Sequence, residues 1–354
     1  MSIILSIIFG VLLFSLLIFV HELGHFITAK MSGVQVNEFS MFMGPAIWKK
    51  QKGETLYSIR CIPIGGYCAM EGEDADTDNP RSFQKAAWWK RLIILLAGSF
   101  MNFVIGVLIM VIVFLPSQWI RTPTIDVIEP SSLISGENGL QPGDTFLEID
   151  GEKIYVQSDF YTILQLNPGE VHDIVVERDG KKVELNDFEM KKTTFEGEEE
   201  PRFGFSFKVE QATLGSKLDF AWKNVLNAGR IVRLSLQMLL RGEVGLSDTM
   251  GPALIIAEMS EIAEQSRGFV DALLNMLYFG GFIAINLGIM NLLPIPALDG
   301  GRALALLITT AIVKITKKPV DPKYEGYIHG VGMVLLLILM AIILFKDIFV
   351  IITG

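Results

Sequence analysis

Two histidines and a glutamate interrupt an apolar stretch near the start of the chain, in "FVHELGHFITAK" (19–30). From Ile3 to Val20 no side chain carries a charge, and then His21, Glu22 and His25 follow. Residues four apart on a helix leave the same face one turn apart. Two imidazoles so placed can grip one zinc ion, with Glu22 beside them to take a proton from water. The bland alternative is a helix end with incidental polar groups. Ionisable groups inside apolar spans are costly and normally functional, which favours the metal.

A catalytic zinc takes three protein ligands and keeps a position open. Of the chain's four histidines, His172 falls in a polar segment and His329 begins a late apolar run. A better third ligand lies in "NLGIMNLLPIPALDGGRAL" (286–304), where Asp299 closes an apolar stretch broken by Pro294 and Pro296. Prolines remove backbone donors and unwind a helix, freeing polar groups that only a protein-lined cavity can satisfy. Asp299 also reads as a carboxylate ending a helix at an interface. The need of His21 and His25 for a partner at the same depth favours the ligand.

The elements that must carry these groups are mostly apolar helices. Of 354 residues 51% are hydrophobic and 19% charged, so one polytopic membrane protein is expected rather than two soluble domains. Runs long enough to cross a bilayer recur near 2–29, 92–115, 269–292 and 328–351. The first has neither the basic start nor the cleavage site of a signal peptide. The net charge of −9 is unevenly spread. Lysines and arginines crowd 30–91 and the segment after the third run, which places both in the cytoplasm, with acidic 121–210 and the two termini outside. Between the first two runs, 34–70 is rich in β-branched and aromatic residues around a Lys52-Gly53-Glu54 turn and reads as a small membrane-associated sheet. Its stretch 55–68 is expected to offer an edge strand to an extended substrate. Segment 121–210 alternates short strands with Pro-Gly and Asp-Gly turns, and 217–240 reads as an amphipathic helix at the outer interface. Cys61 and Cys68 fit no zinc spacing and read as ordinary reduced side chains. No basic patch with interleaved aromatics points to nucleic acid.

These motifs resemble the intramembrane site-2 metalloproteases, specifically the bacterial regulators of sigma-factor stress responses. "HELGH" (21–25) is similar to that family's H-E-x-G-H, and "NLLPIPALDGG" (291–301) to its N-x-x-P-x-P-x-L-D-G. "IPIGGYCAM" (62–70) resembles the membrane-associated β segment, and "AGSFMN" (97–102) the second-span motif, with Ser99 where proline is usual. "GLQPGDTFLEIDGEKI" (139–154) resembles a PDZ core, with room for one such domain where some relatives carry two. The resemblance implies an α-helical polytopic membrane protein of about four transmembrane helices. A membrane-associated β segment and an inserted extracytoplasmic β-rich PDZ domain complete it. Residues 1–120 would form the first membrane half, 121–210 the PDZ-like domain and 211–354 the amphipathic helix and second membrane half. Zn2+ would be held by His21, His25 and Asp299, with Glu22 as general base. Asn291, Pro294 and Pro296 would place substrate backbone; Asn102 would join them or hydrogen-bond between helices.

The implied activity is hydrolysis of peptide bonds within or near transmembrane segments of single-span proteins, anti-sigma factors or remnant signal peptides, in the bacterial plasma membrane. The PDZ domain would bind a peptide or hold back bulky substrates. An inactive PDZ scaffold is the competing class, disfavoured by the intact set of four polar residues. A metal transporter would show inverted halves that these spans lack.

Overall fold

The computed structural model describes residues 3–73, 77–129, 134, 139–195, 201–245, 251–318 and 322–353. They fall into two compact units, Met1–Ile109 with Ile231–Gly354, and Met110–Arg230. Among the described residues four helices are long and apolar enough to cross a membrane: Ile7–Ser32, Trp88–Phe114, Phe269–Met290 and Gly326–Thr353.

In the first unit, α1 (Ile3–Ser32) runs 30 residues, about 45 Å of helix against a hydrocarbon core of about 30 Å. It stops where Gly33 turns left-handed at φ 82° and Val34 N–H donates back to the Ala29 carbonyl at 3.0 Å. That bond satisfies a carbonyl the helix end would otherwise orphan. Strands β1 (Val36–Lys52) and β2 (Thr55–Met70) follow. Each is bent in the middle, β1 at Phe42 and Gly44 (φ 71° and 84°) and β2 at Gly65 (φ 77°). The bends make four segments from two strands. Ala46–Lys52 pairs with Thr55–Arg60, Leu56–Ile59 pairs in turn with Glu38–Met41, and Val36–Met41 pairs with Gly66–Met70.

This register corrects the first part of the expected edge 55–68 and keeps its end. Residues 56–59 are interior, hydrogen-bonded on both flanks, and the Ser58 side chain is buried against Glu38 and Ser40. Among the described residues two segments have a partner on one side only, Ala46–Lys52 and Gly66–Met70. Arg60, Ser58 and Ser40 face one another inside the sheet, where Arg60 pairs with Glu38 at 2.8 Å.

α2 (Trp88–Phe114) begins in this unit. Later come α5 (Pro252–Gln265), α6 (Phe269–Met290), α7 (Asp299–Thr316) and α8 (Pro322–Thr353). One core joins Ala29, Val36, Phe39, Met70, Phe83, Ile94 and Leu306, so α1, α2, α7 and the sheet share a hydrophobic centre.

The second unit is built on an antiparallel sheet ordered β7-β6-β4-β3-β8: β3 (Trp119–Ile128), β4 (Thr145–Ile149), β6 (Val171–Arg178), β7 (Lys181–Glu189) and β8 (Phe205–Gln211). β5 (Glu152–Lys153) pairs with β4, and α3 (Gln157–Leu166) packs Phe160 and Ile163 onto the sheet core of Phe146, Ile149, Ile174 and Phe205. Asp150-Gly151 and Asp179-Gly180 both hold positive φ, as two-residue hairpin turns require. Asp159 accepts from the Tyr155 and Val156 N–H groups at the start of α3 and faces Arg230 of α4 (Leu214–Arg241) at 2.9 Å. Burial pushes its carboxyl above the usual range, against the pull of those donors.

Candidate metal centre

His21 and His25 project from one face of α1, and Asp299 opens α7, where the partial positive charge of a helix N-terminus favours a carboxylate. The three ends converge. Nε2 of His21 and Nε2 of His25 are 3.2 Å apart, and Asp299 Oδ2 lies 3.2 Å and 3.4 Å from them. A tetrahedral zinc with bonds of about 2.0–2.1 Å sets its ligand atoms roughly 3.3 Å apart. Each edge of the observed triangle matches. Asp299 Oδ2 is buried and makes no hydrogen bond of good geometry, which also fits a cation as its partner.

The far sides of both rings are held. His25 Nδ1 donates to the Ile94 carbonyl at 2.8 Å, leaving the Nε2 lone pair directed at His21. The Asn102 amide lies 3.3 Å from His21 Nδ1, and its Oδ1 has no partner. Half a turn of that amide gives Nδ1–H an acceptor and satisfies the oxygen at once. Both imidazoles then present bare Nε2 atoms to one point, and such partners are the usual means of fixing metal-binding rings. Asn102 is only 2% exposed, and it faces His21 rather than open space.

Glycines set how closely the helices approach. A Cβ on Gly24 would stand 2.5 Å from the Ala97 carbonyl oxygen, so α1 and α2 touch backbone to backbone. A Cβ on Gly98 would strike His25 Nε2 and lie 2.7 Å from His21 Cε1. Glu22 lies beside Gly66: a Cβ there would be 3.4 Å from Glu22 Cγ. The general-base candidate therefore borders the edge segment Gly66–Met70.

Residues 9–339 match the model of Peptidase family M50. The chain belongs to peptidase family M50. A protein of Clostridium acetobutylicum that carries the name of a zinc metalloprotease is 35% identical over 97% of both chains. Zinc metalloprotease RasP of Geobacillus kaustophilus is 27% identical over 97% of both chains. Regulator of sigma-W protease RasP of Bacillus subtilis is 26% identical over 96% of this chain and 97% of its own. The alignments to the two RasP proteins run to 428 and 429 positions against 354 residues here, so those relatives carry segments that this chain lacks. This M50 protein is a zinc metalloprotease, and with its four apolar helices it is a multi-pass membrane protein.

The M50 motif before Asp299 forms a tight turn after α6. Gly300 N–H donates to the Asn291 carbonyl at 2.7 Å, and Gly300 and Gly301 sit against the carbonyls of Leu292 and Ile295 with no space for a side chain. Asn291 is half-buried, while Pro294 and Pro296 are exposed on this turn. His172 takes no part, being committed to Asp150 at 2.8 Å and the Gly169 carbonyl at 3.1 Å. Sequence reasoning missed Gly98 as a wall of the site, although it lies in the quoted "AGSFMN". It also missed Arg302, one turn beyond Asp299, which pairs with Glu73 just after β2. Charge alone gives no sign of that pairing across more than two hundred residues.

Proposed function

We propose that this M50 protease hydrolyses peptide bonds in or near the transmembrane segments of single-span proteins, with His21, His25 and Asp299 holding zinc and Glu22 as general base. The observation that carries this reading is the triangle of two imidazole nitrogens and one carboxylate oxygen at tetrahedral spacing, with Glu22 on the same helix. The metal, when bound, supplies Lewis acidity toward the scissile carbonyl and acidifies water. The chain does the rest. Glu22 accepts the proton of the attacking water and returns one to the departing amine nitrogen. Ile94 and Asn102 keep the rings in the binding tautomer, and Gly98 leaves them room.

A transmembrane helix hides its carbonyls in intrahelical bonds, so the substrate must unwind, and in hydrocarbon each freed group costs several kcal/mol unless paired again. Edge strand Gly66–Met70, beside Glu22, offers such pairing by strand addition. Asn291, Pro294 and Pro296 would guide substrate backbone along the other side of the site. The exposed Met43, Ile47, Trp48, Ile59 and Ile62 of the sheet support its seating against lipid.

Segment 121–210 is read as one PDZ-like domain on the extracytoplasmic side of a bacterial plasma membrane, binding a peptide or excluding substrates with bulky outer domains. Residues 1–120 and 211–354 make the two membrane halves. An anti-sigma factor is the favoured substrate, since a relative bears the name of a sigma-W regulator, with remnant signal peptides as the alternative. The deciding experiment is Glu22→Gln in purified enzyme: zinc content should stay at wild type while cleavage falls by about 10²–10⁴-fold. Wild-type cleavage by Glu22→Gln would overturn the assignment of the base.

A further inference from the structure

The fourth apolar helix reaches back to the turn that presents Asp299. Ala297 N–H donates to His329 Nδ1 at 3.2 Å. Ala297 holds φ 79°, a left-handed conformation that a residue with a Cβ adopts only where its surroundings impose it. Its amide is thus fixed by a side chain from another helix, two residues before Asp299. His329 is buried at 9% exposed, and it accepts this bond, so its Nδ1 carries no proton. The next turn of α8 closes on the same place. A Cβ on Gly332 would strike Pro296 Cβ and stand 3.0 Å from the Pro296 carbonyl oxygen. On the other flank the Gly300-to-Asn291 bond closes the turn. Asp299 therefore leaves a peptide whose strained geometry is clamped from both sides.

We propose that His329 is a positioning residue: by accepting from Ala297 N–H it holds the turn in its left-handed form and so aims the Asp299 carboxylate at the metal. The proposal rests on the reading of Asp299 as a zinc ligand. Without the acceptor, the Ala297 peptide can relax toward negative φ, and Asp299 swings with it. A partly buried amide left without an acceptor also favours that relaxation. A ligand displaced in this way weakens metal binding in the range of about 10–100-fold seen when such supporting partners are lost.

Isosteric substitutions separate this from a packing role. Asn places its amide oxygen where Nδ1 stands, whereas Gln places it where Nε2 stands. The full-length protein in detergent is challenged with graded chelator, and retained zinc is read together with cleavage and the unfolding temperature of the metal-free form. His329→Asn should keep zinc within about 3-fold of wild type, while His329→Gln and His329→Leu should lose it at about 10–100-fold less chelator, their metal-free unfolding temperatures unchanged. Adding Ala297→Gly to His329→Leu should recover part of the zinc affinity, because glycine adopts positive φ unaided. Equal zinc loss in the Asn and Gln variants, or wild-type retention in both, overturns the proposal. So does a folded double variant that recovers nothing. Should His329→Leu fail to fold, the Asn and Gln pair decides alone. Asp299→Ala is run beside them. If it retains zinc like wild type the ligand reading itself fails; if it loses zinc while the Gln and Leu variants keep it, only the role of His329 falls.

Discussion

Gly98 makes the sharpest residue-scale demand. Its missing side chain is the space into which both imidazoles project, so even one methyl group must push His21 or His25 aside. Overpacking of this kind costs about 1–3 kcal/mol, and here it falls on the proposed ligand atoms. Gly98→Ala should therefore lower cleavage at least about 10-fold and reduce zinc retention under chelator, with the helices still assembled by circular dichroism; unchanged zinc and activity would remove Gly98 from the site. A second residue-scale expectation concerns Glu54, at the turn between β1 and β2. The Arg81 guanidinium and the Lys30 ammonium, at 2.6 Å each, hold its carboxyl down to about 2 from an ordinary value near 4.5. A depressed carboxylate stabilises the fold above the unfolded value, and that contribution disappears as pH falls through the folded one. Wild type should thus exceed Glu54→Gln in unfolding temperature at pH 6, and the gap should close between pH 4.5 and about 2. Its size should be modest and shrink in salt, because the pair is partly exposed. A gap that persists at pH 2 would contradict the ion-pair account.

Elements were legible to different degrees. The four apolar helices follow from hydropathy alone, since their composition leaves little else to form, and His21 with His25 follows from helical spacing. Asp299 could be chosen only by demanding a third ligand; nothing in the sequence says that it opens a new helix, α7, rather than ending the previous one. The sheet was legible as strand and illegible as order. Alternation cannot reveal that bends at Gly44 and Gly65 double two strands into four segments, which buries the first part of the expected edge 55–68 and leaves only its end, in Gly66–Met70, at an edge. Prediction follows the corrected edge. Ser58→Pro should disrupt the sheet itself, lowering stability as well as cleavage, because its flanks are both paired. Substrate segments with Gly, Pro or Asn near the cut should be cleaved faster than their Leu counterparts, because unwinding is cheaper there by up to about 1 kcal/mol per glycine and about 3 per proline. Equal rates across such a set in detergent and in bilayers would contradict strand addition by an unwound substrate.

For the whole molecule, the charge asymmetry makes a prediction about sides of the membrane. In a background without Cys61 and Cys68, single cysteines at exposed Asp78 and exposed Ser158 should be labelled from opposite faces of intact cells or inverted vesicles. Labelling of both from one face would overturn the topology. Removal of 121–210 should permit cleavage of substrates that keep large outer domains, and a folded deletion that no longer cuts trimmed substrates would instead make this segment part of the machinery.

Every step depends on the metal being where the three side chains converge. Zinc-edge X-ray absorption on the purified full-length protein reads that coordination directly. The expected result is about one zinc per chain, with two imidazole nitrogens and carboxylate or water oxygens at about 2.0–2.1 Å, no sulfur, and a spectrum that changes in Asp299→Ala. A sulfur shell from Cys61 or Cys68, a third imidazole, or a spectrum untouched by Asp299→Ala would contradict it.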